Sequence, residues 1–274
     1  MDRLSTIAGT TRYTIGQIWT HRHALWRSSL IELKKRYAGS AIGYLWVVLY
    51  PVLFLSIYVF VYQVVFKVKV TGVDTGGFHY VLFVFSGLVP YIALMEAFST
   101  GCLSIKQNMH LIKNVLAPIE TVPVRSVVIS MITQLVGLAM VLGLAAINGS
   151  LTPLAALVPV VMFFQFLMFT GIVWVLSALA VALPDIGYFV NLGTFLLMFV
   201  SPIAFTKEMV PATLAVTLYF NPVYYMVEMY RSLLWVGTLP PLFETVVFVS
   251  MCSLTFVAGA AFFGVFKYAI LDHG

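Results

Sequence analysis

Charge is what this 274-residue sequence has least of. Only 9% of its residues are Asp, Glu, Lys or Arg, where soluble domains carry about 25%. With 61% hydrophobic residues and a mean hydropathy of +1.01, that shortfall excludes an ordinary water-soluble domain and marks an integral membrane protein. Cysteine is scarce as well. Cys102 and Cys252 both lie in or beside apolar runs, which suggests neither a disulfide framework nor a metal cluster and leaves two inert buried thiols. No Gly immediately precedes a Lys, so the G-x-x-x-x-G-K-[ST] phosphate loop is missing. Energy from a nucleotide would have to enter through another chain. Acids inside the apolar runs are rarer still. Glu96 is the one clear case, about a turn and a half from the end of its run and within snorkelling reach of the surface. An ion-coupled transporter needs a relay of such groups, so Glu96 reads as an interface residue and not a proton carrier.

What is present is length. About 20 apolar residues cross a bilayer, and runs of that size fall near 44–66, 80–101, 125–147, 154–182, 186–205 and 243–266. The first has no short apolar core with a cleavage site ahead of it, so no cleaved signal peptide is expected. Between 206 and 242 the chain is moderately apolar, but Pro211, Asn221-Pro222, Gly237 and Pro240-Pro241 cut it into pieces too short to span. Short helices dipping into one face of the membrane fit that pattern. The net charge of +5 is an orientation signal and implies no nucleic acid. Eleven Lys and Arg fall before the first run, in the 102–125 loop and at the C-terminus, against four (Lys67, Lys69, Lys207, Arg231) on the other side. By the positive-inside rule both termini and the 102–125 loop are expected in the cytoplasm, with 206–242 facing outward.

From Thr14 onward, Ile15, Ile18, Trp19, Leu25, Trp26, Leu30, Leu33 and Tyr37 recur at helical spacing. That predicts an amphipathic helix lying in the cytoplasmic interface, near lipid headgroups. Ala38, Gly39, Ser40, Ala41 and Gly43 then supply a thin hinge into the first span. The expected fold is therefore an all-α integral membrane protein. Six transmembrane helices follow a cytoplasmic interfacial amphipathic helix, with short re-entrant outward helices between spans five and six. Residues 1–43 form the N-terminal region and 44–274 the six-span domain.

Four stretches resemble one family. RYAGSAIGYLWVVLYP (36–51) resembles the start of the first span of ABC-2 type permeases that export polysaccharides, with its R-Y-x-x-S-x-L-G-x-x-W-x-x-x-x-P pattern. SIKQNMHLIKNVLAPIETVPV (104–124) is similar to their loop after the second span, which carries N-x-x-L-I-x-x-x-x-x-P. DIGYFVNLGTFLLMFVSPIAF (185–205) and NPVYYMVEMYRSLLW (221–235) resemble the D-I-x-x-x-V…S-P-I and the N-P with a late Arg. Ile42 replaces the usual Leu, and NVLAP departs from relatives that place a second Lys and a Phe before the Pro. The resemblance implies a homodimer in the bacterial inner membrane, joined to two cytoplasmic ABC ATPase subunits that hold ATP and Mg, with no cofactor on this chain. It implies that Asn108, Leu111, Lys113, Pro118 and Asp185 couple to the ATPase, although Asp185 by itself would serve as a helix cap. Arg36, Tyr37 and Ser40 would form the cytoplasmic gate where substrate is admitted, with Arg36 suited to bidentate phosphate contact. Asn221, Pro222 and Arg231 would form the outward gate, with Glu228 or lipid phosphate as the partner of Arg231.

Trp46, Tyr50, Phe54, Tyr58 and Tyr62 recur at spacing four, tracing a shallow spiral about 24 Å long. Beside the resemblance, these rings are candidates to line a channel for sugar. The expected function is the permease of an ATP-driven exporter of a polyprenyl-pyrophosphate-linked polysaccharide of the O-antigen type. Capsular polysaccharide and teichoic acid are alternative cargoes. A drug or small-lipid exporter of the same superfamily is a rival. So is a membrane enzyme acting on lipid-linked glycans, but only Lys207, Glu208, Glu228 and Arg231 stand near the outward face and they form no catalytic constellation.

Overall fold

In the computed structural model, which describes residues 2–43, 45–65, 78–114 and 118–273, no β-strand occurs among the described residues. Two helices, α1 (Asp2–Thr20) and α2 (Arg22–Tyr37), replace the single N-terminal helix expected from Thr14. The chain breaks at His21, whose φ of −102° and ψ of 17° leave the helical region. Its ring nitrogen Nδ1 lies 3.1 Å from the Gln17 carbonyl, one turn back. This break divides the expected apolar stripe. Leu25 and Leu33 are buried, while Trp19 and Trp26 point away from the protein. α1 packs along the last helix and α2 against the helix that begins at Thr121.

The hinge follows as expected. Gly39 and Gly43 take positive φ of 82° and 58°, the left-handed region that a Cβ disfavours. α3 (Leu45–Val59) then continues into a wider π turn over Phe60–Val65. α4 (Phe78–Cys102) leads into two short helices, α5 (Ser104–Gln107) and α6 (Met109–Asn114). α7 (Thr121–Ile147), α8 (Val158–Ala182) and α9 (Ile186–Val200) come next, then α10 (Ala212–Tyr219), α11 (Pro222–Arg231) and α12 (Leu242–His273). Among the described residues four segments are long and apolar enough to cross a membrane: 79–102, 121–147, 153–182 and 242–267. Leu45–Ile57 and Ile186–Val200 are shorter apolar helices. α9 ends five residues before the apolar run does. Ser201 is extended at ψ 144°, the geometry favoured by the proline that follows it, since helical geometry is disfavoured for the residue before a proline.

α4 pairs with α7, and α8 with α12. The second crossing is close because neither helix has a side chain in the way. A Cβ on Gly171 would run into the Thr255 carbonyl, and one on Gly259 into the Gly171 carbonyl. Small residues permit this approach where no hydrophobic force drives helices together. Trp174 on α8 is fully buried and stacks on Phe256 and Phe263 of α12. Among the long apolar helices α3 and α9 are held least, and their outer faces expose Leu53, Ile57, Tyr188, Phe189 and Leu196.

Candidate functional site

Between α3, α4, α7, α9 and the α2 hinge lies a cavity of about 730 Å³. Three of the residues singled out from sequence as a gate, Arg36, Tyr37 and Ser40, stand on its wall, together with the rings of Trp46, Tyr50 and Phe54. Tyr50 and Phe54 stack at 6.2 Å between centroids, with planes 23° apart. The spacing of four on α3 therefore does present these rings to one space. α3 passes into the π turn before Tyr62. The side chains of Tyr58 and Tyr62 lie outside the described residues.

The polar part of the cavity centres on Glu96. The Arg36 guanidinium donates to Glu96 Oε1, and the Thr133 hydroxyl to Glu96 Oε2. Glu96 is thus held by α2 on one side and α7 on the other, as an interface residue. Burial lifts the Tyr37 phenol above its ordinary pKa; the neighbouring Arg36 pulls the other way and Glu96 adds to the rise. Tyr37 therefore remains a neutral hydrogen-bonding phenol. Deeper in, Gln134 lines the same cavity and closes a buried polar triad. Its Nε2 donates to Tyr230 Oη at 2.8 Å and to Gln165 Oε1 at 3.1 Å, Gln165 Nε2 donates back to Gln134 Oε1, and the Tyr230 hydroxyl donates to Gln165. Every donor meets an acceptor, which is what a buried amide requires. Thr133, Gln134 and Gln165 were missed in the sequence reading. The available signal was two amides inside otherwise apolar runs.

A second cavity of about 330 Å³ adjoins the first, lined by Glu32, Gln107, Asn108 and Ser104 and sharing Arg36, Ser99 and Thr100 with it. Asn108 forms the joint between α5 and α6, and its Nδ2 donates to the Ser104 carbonyl at 2.8 Å. Asp185 sits at the N-cap of α9 and is exposed. Its backbone carbonyl accepts from Tyr188 at 3.0 Å, while its side chain makes no capping bond. Gly187, two residues on, lies against the Leu103 side chain at the start of α5. The α8–α9 turn and the 104–114 segment therefore occupy one end of the bundle. Pro118 turns the chain back by accepting from Thr121 N at 3.0 Å and Thr121 Oγ1 at 2.7 Å. The side chains of Leu111 and Lys113 lie outside the described residues.

Just past Pro118, Glu120 makes a buried ion pair with Lys267 of α12 at 2.9 Å. Lys267 also lies over the Tyr13 ring of α1 at 4.1 Å. In the sequence Lys267 was no more than a terminal cation. Arg125 likewise reaches Glu32 at 3.4 Å, tying α7 to α2.

Of the residues proposed for an outward gate, Asn221 and Arg231 are buried, while Pro222 is exposed. Asn221 caps α11, its Oδ1 accepting from Val223 N at 2.9 Å and its Nδ2 donating to Ser201 Oγ at 3.0 Å. Pro222 follows at the first helical position, where no N–H is needed. Arg231 is buried at 4% exposure. The guanidinium donates to the carbonyls of Pro202 at 2.8 Å and Ile203 at 3.0 Å, and its charge also acts on the carboxyl of Glu228, the partner expected from the sequence. It also covers the Phe83 ring at 3.9 Å. The Pro202 bend after α9 thus leaves carbonyls for Arg231 to satisfy.

A polar mouth, an aromatic wall and a bundle of spans without a nucleotide loop describe a conduit more readily than a reaction centre. The chain is 27% identical over 243 residues to an O-antigen export system permease protein RfbA of Klebsiella pneumoniae, covering 88% of this chain and 91% of that protein. A second protein of that name from Klebsiella pneumoniae is 26% identical over the same length. An RfbA of Myxococcus xanthus is 26% identical over 212 residues, covering 76% of this chain and 79% of its own. The sequence pattern described as ABC-2 type transporter matches residues 23–235, most of the chain, and this multi-pass membrane protein belongs to that family.

Proposed function

We propose that this chain is the channel-forming permease of an ATP-driven exporter that moves a lipid-linked polysaccharide of the O-antigen type out across the bacterial inner membrane. The observation that carries the reading is the larger cavity, where one guanidinium stands at the polar mouth and stacked aromatic rings follow on α3. Rings of this kind stack on the apolar faces of sugars, and Arg suits a diphosphate. Relatives named as O-antigen export permeases favour that cargo.

In this reading six segments span: α3 with its π turn, α4, α7, α8, α9 and α12. α10 and α11 dip in from the outward side, both termini are cytoplasmic, and α2 lies at the interface. Two copies enclose the channel, joined through the exposed apolar faces of α3 and α9. Two ABC ATPase subunits engage the 104–118 segment near Asn108 and Lys113, with Asp185 beside it. Their closure moves these short helices as rigid bodies, and Arg36 with Tyr37 receives the diphosphate end of the substrate. Deleting the chain from its native host should abolish surface polysaccharide while the lipid-linked polymer accumulates inside, and returning it should restore export. Undiminished surface polysaccharide, or loss without internal accumulation, would refute the reading.

A further inference from the structure

Among the described residues, Arg36 and Glu96 are the only charged ones on the wall of the larger cavity. Arg36, Ser99 and Thr100 belong to the walls of both cavities, so Arg36 stands between the two. The two partners are held unequally. Glu96 lies within α4, which packs against α7, and Thr133 holds its second oxygen. Arg36 is in the last turn of α2, just before the hinge, where Gly39 and Gly43 have nothing within 4 Å of a Cβ position. The carboxylate is the more buried member, at 16% exposure against 31% for the Arg36 side chain, and the guanidinium the one more open to a ligand.

We propose that Glu96 is a resident counter-anion, holding Arg36 between the two cavities until a diphosphate displaces it. This rests on the reading above, in which Arg36 receives that group. Paired, the two charges cancel and the cavity is neutral. A sugar hydroxyl cannot compete with a carboxylate for a guanidinium, because charge-assisted bonds are roughly twice as strong as neutral ones. A diphosphate can compete, since it brings more than one negative charge and a bidentate oxygen pair. After the exchange Glu96 keeps the Thr133 hydrogen bond, and Arg36 swings with the hinge. Glu96 therefore sets a charge threshold for admission. It discriminates by opposing weaker ligands as well as by what the site attracts.

The test is equilibrium binding of radiolabelled farnesyl diphosphate to the full-length permease in phosphatidylcholine nanodiscs. Glu96→Gln should bind the probe at least tenfold more tightly than the wild type and should prefer it less over farnesyl monophosphate. Arg36→Gln should lose tenfold or more. Glu96→Asp, whose shorter arm falls short of Arg36, should shift in the same direction as Glu96→Gln and decides the matter if the Gln variant does not insert. Unchanged or weaker binding in the Glu96 variants, with loss in Arg36→Gln, would overturn the counter-anion and leave the diphosphate reading standing. Wild-type binding by Arg36→Gln would sink both. Inorganic pyrophosphate should compete poorly, and phosphatidylglycerol nanodiscs should bind the probe as well. Equal competition by pyrophosphate would assign Arg36 to a free anion and overturn the lipid-linked source of the diphosphate. Loss of binding in phosphatidylglycerol would assign it to bulk headgroups and overturn the charge threshold.

Discussion

Lys267→Met is the most exacting single perturbation that the structure suggests. The Lys267 and Glu120 side chains are only 7% and 4% exposed, with Nζ and Oε1 2.9 Å apart. The backbone carbonyl of Glu120 also accepts from the Trp174 indole at 3.0 Å. Methionine keeps most of the lysine stem but leaves a carboxylate buried without its cation. Breaking a buried pair from one side costs about 3–5 kcal/mol. Losing the contact with the Tyr13 ring adds about 0.5–2 kcal/mol. Glu120→Leu should also destabilise, since it leaves the ammonium buried without a counter-charge. The double variant Lys267→Met/Glu120→Leu removes both charges and should recover most of the loss, because well-packed apolar residues often replace a buried pair at no net cost. Denaturant unfolding of the detergent-solubilised protein measures all four corners of the cycle, and neighbouring residues of this kind couple by about 0.5–3 kcal/mol. Export in the native host should follow, falling in Lys267→Met and returning in the double variant, since the pair fixes where the 104–118 segment rejoins the bundle. A single variant within 1 kcal/mol of wild type would refute the reasoning, as would a double variant whose loss is the plain sum of the singles.

The aromatic wall is tested by Tyr50→Leu/Phe54→Leu, which keeps volume and removes rings worth about 1 kcal/mol each. Surface polysaccharide per inserted permease should fall several-fold, and normal export would dismiss the channel-lining role. Asn108→Ala/Lys113→Ala should abolish export with insertion intact, while the purified chain alone should hydrolyse no ATP; wild-type surface polysaccharide would remove the segment from the mechanism. Phe220 and Leu239 are the exposed points flanking α11, at 84% and 64%. Cysteines there should label only from outside the cell, those at the buried Met226 should not label, and labelling from the cytoplasm would invert the topology. Gly259→Ala should lower the denaturation midpoint by forcing α8 and α12 apart, an overpacking cost of about 1–3 kcal/mol, and an unchanged midpoint would contradict the backbone contact.

Asn221-Pro222 was legible as a helix start because capping is local: a polar side chain reaches an N–H two residues on, and proline needs none. The end of α9 at Ser201 belongs to the same kind of rule, yet apolar run length overrode it in the sequence reading. The break at His21 was not legible, since residues on both sides of it continue the helical spacing. Arg231 was read against Glu228 because spacing along one helix is visible, whereas the carbonyls of Pro202 and Ile203 lie 29 and 28 residues back.

The sequence by itself determined that this chain lives in a membrane, which of its segments are apolar, where its helices may start, and that it carries no phosphate loop. Each of these follows from composition or from groups within a few residues of one another. Only the tertiary structure decided that Arg36 meets Glu96 across 60 residues and that Lys267 meets Glu120 across 147. It alone set Gly171 against Gly259 and closed Gln134, Gln165 and Tyr230 into one triad. In an apolar interior a charge or an amide must find a partner wherever the packing brings one within reach, and no local spacing encodes which helix will supply it.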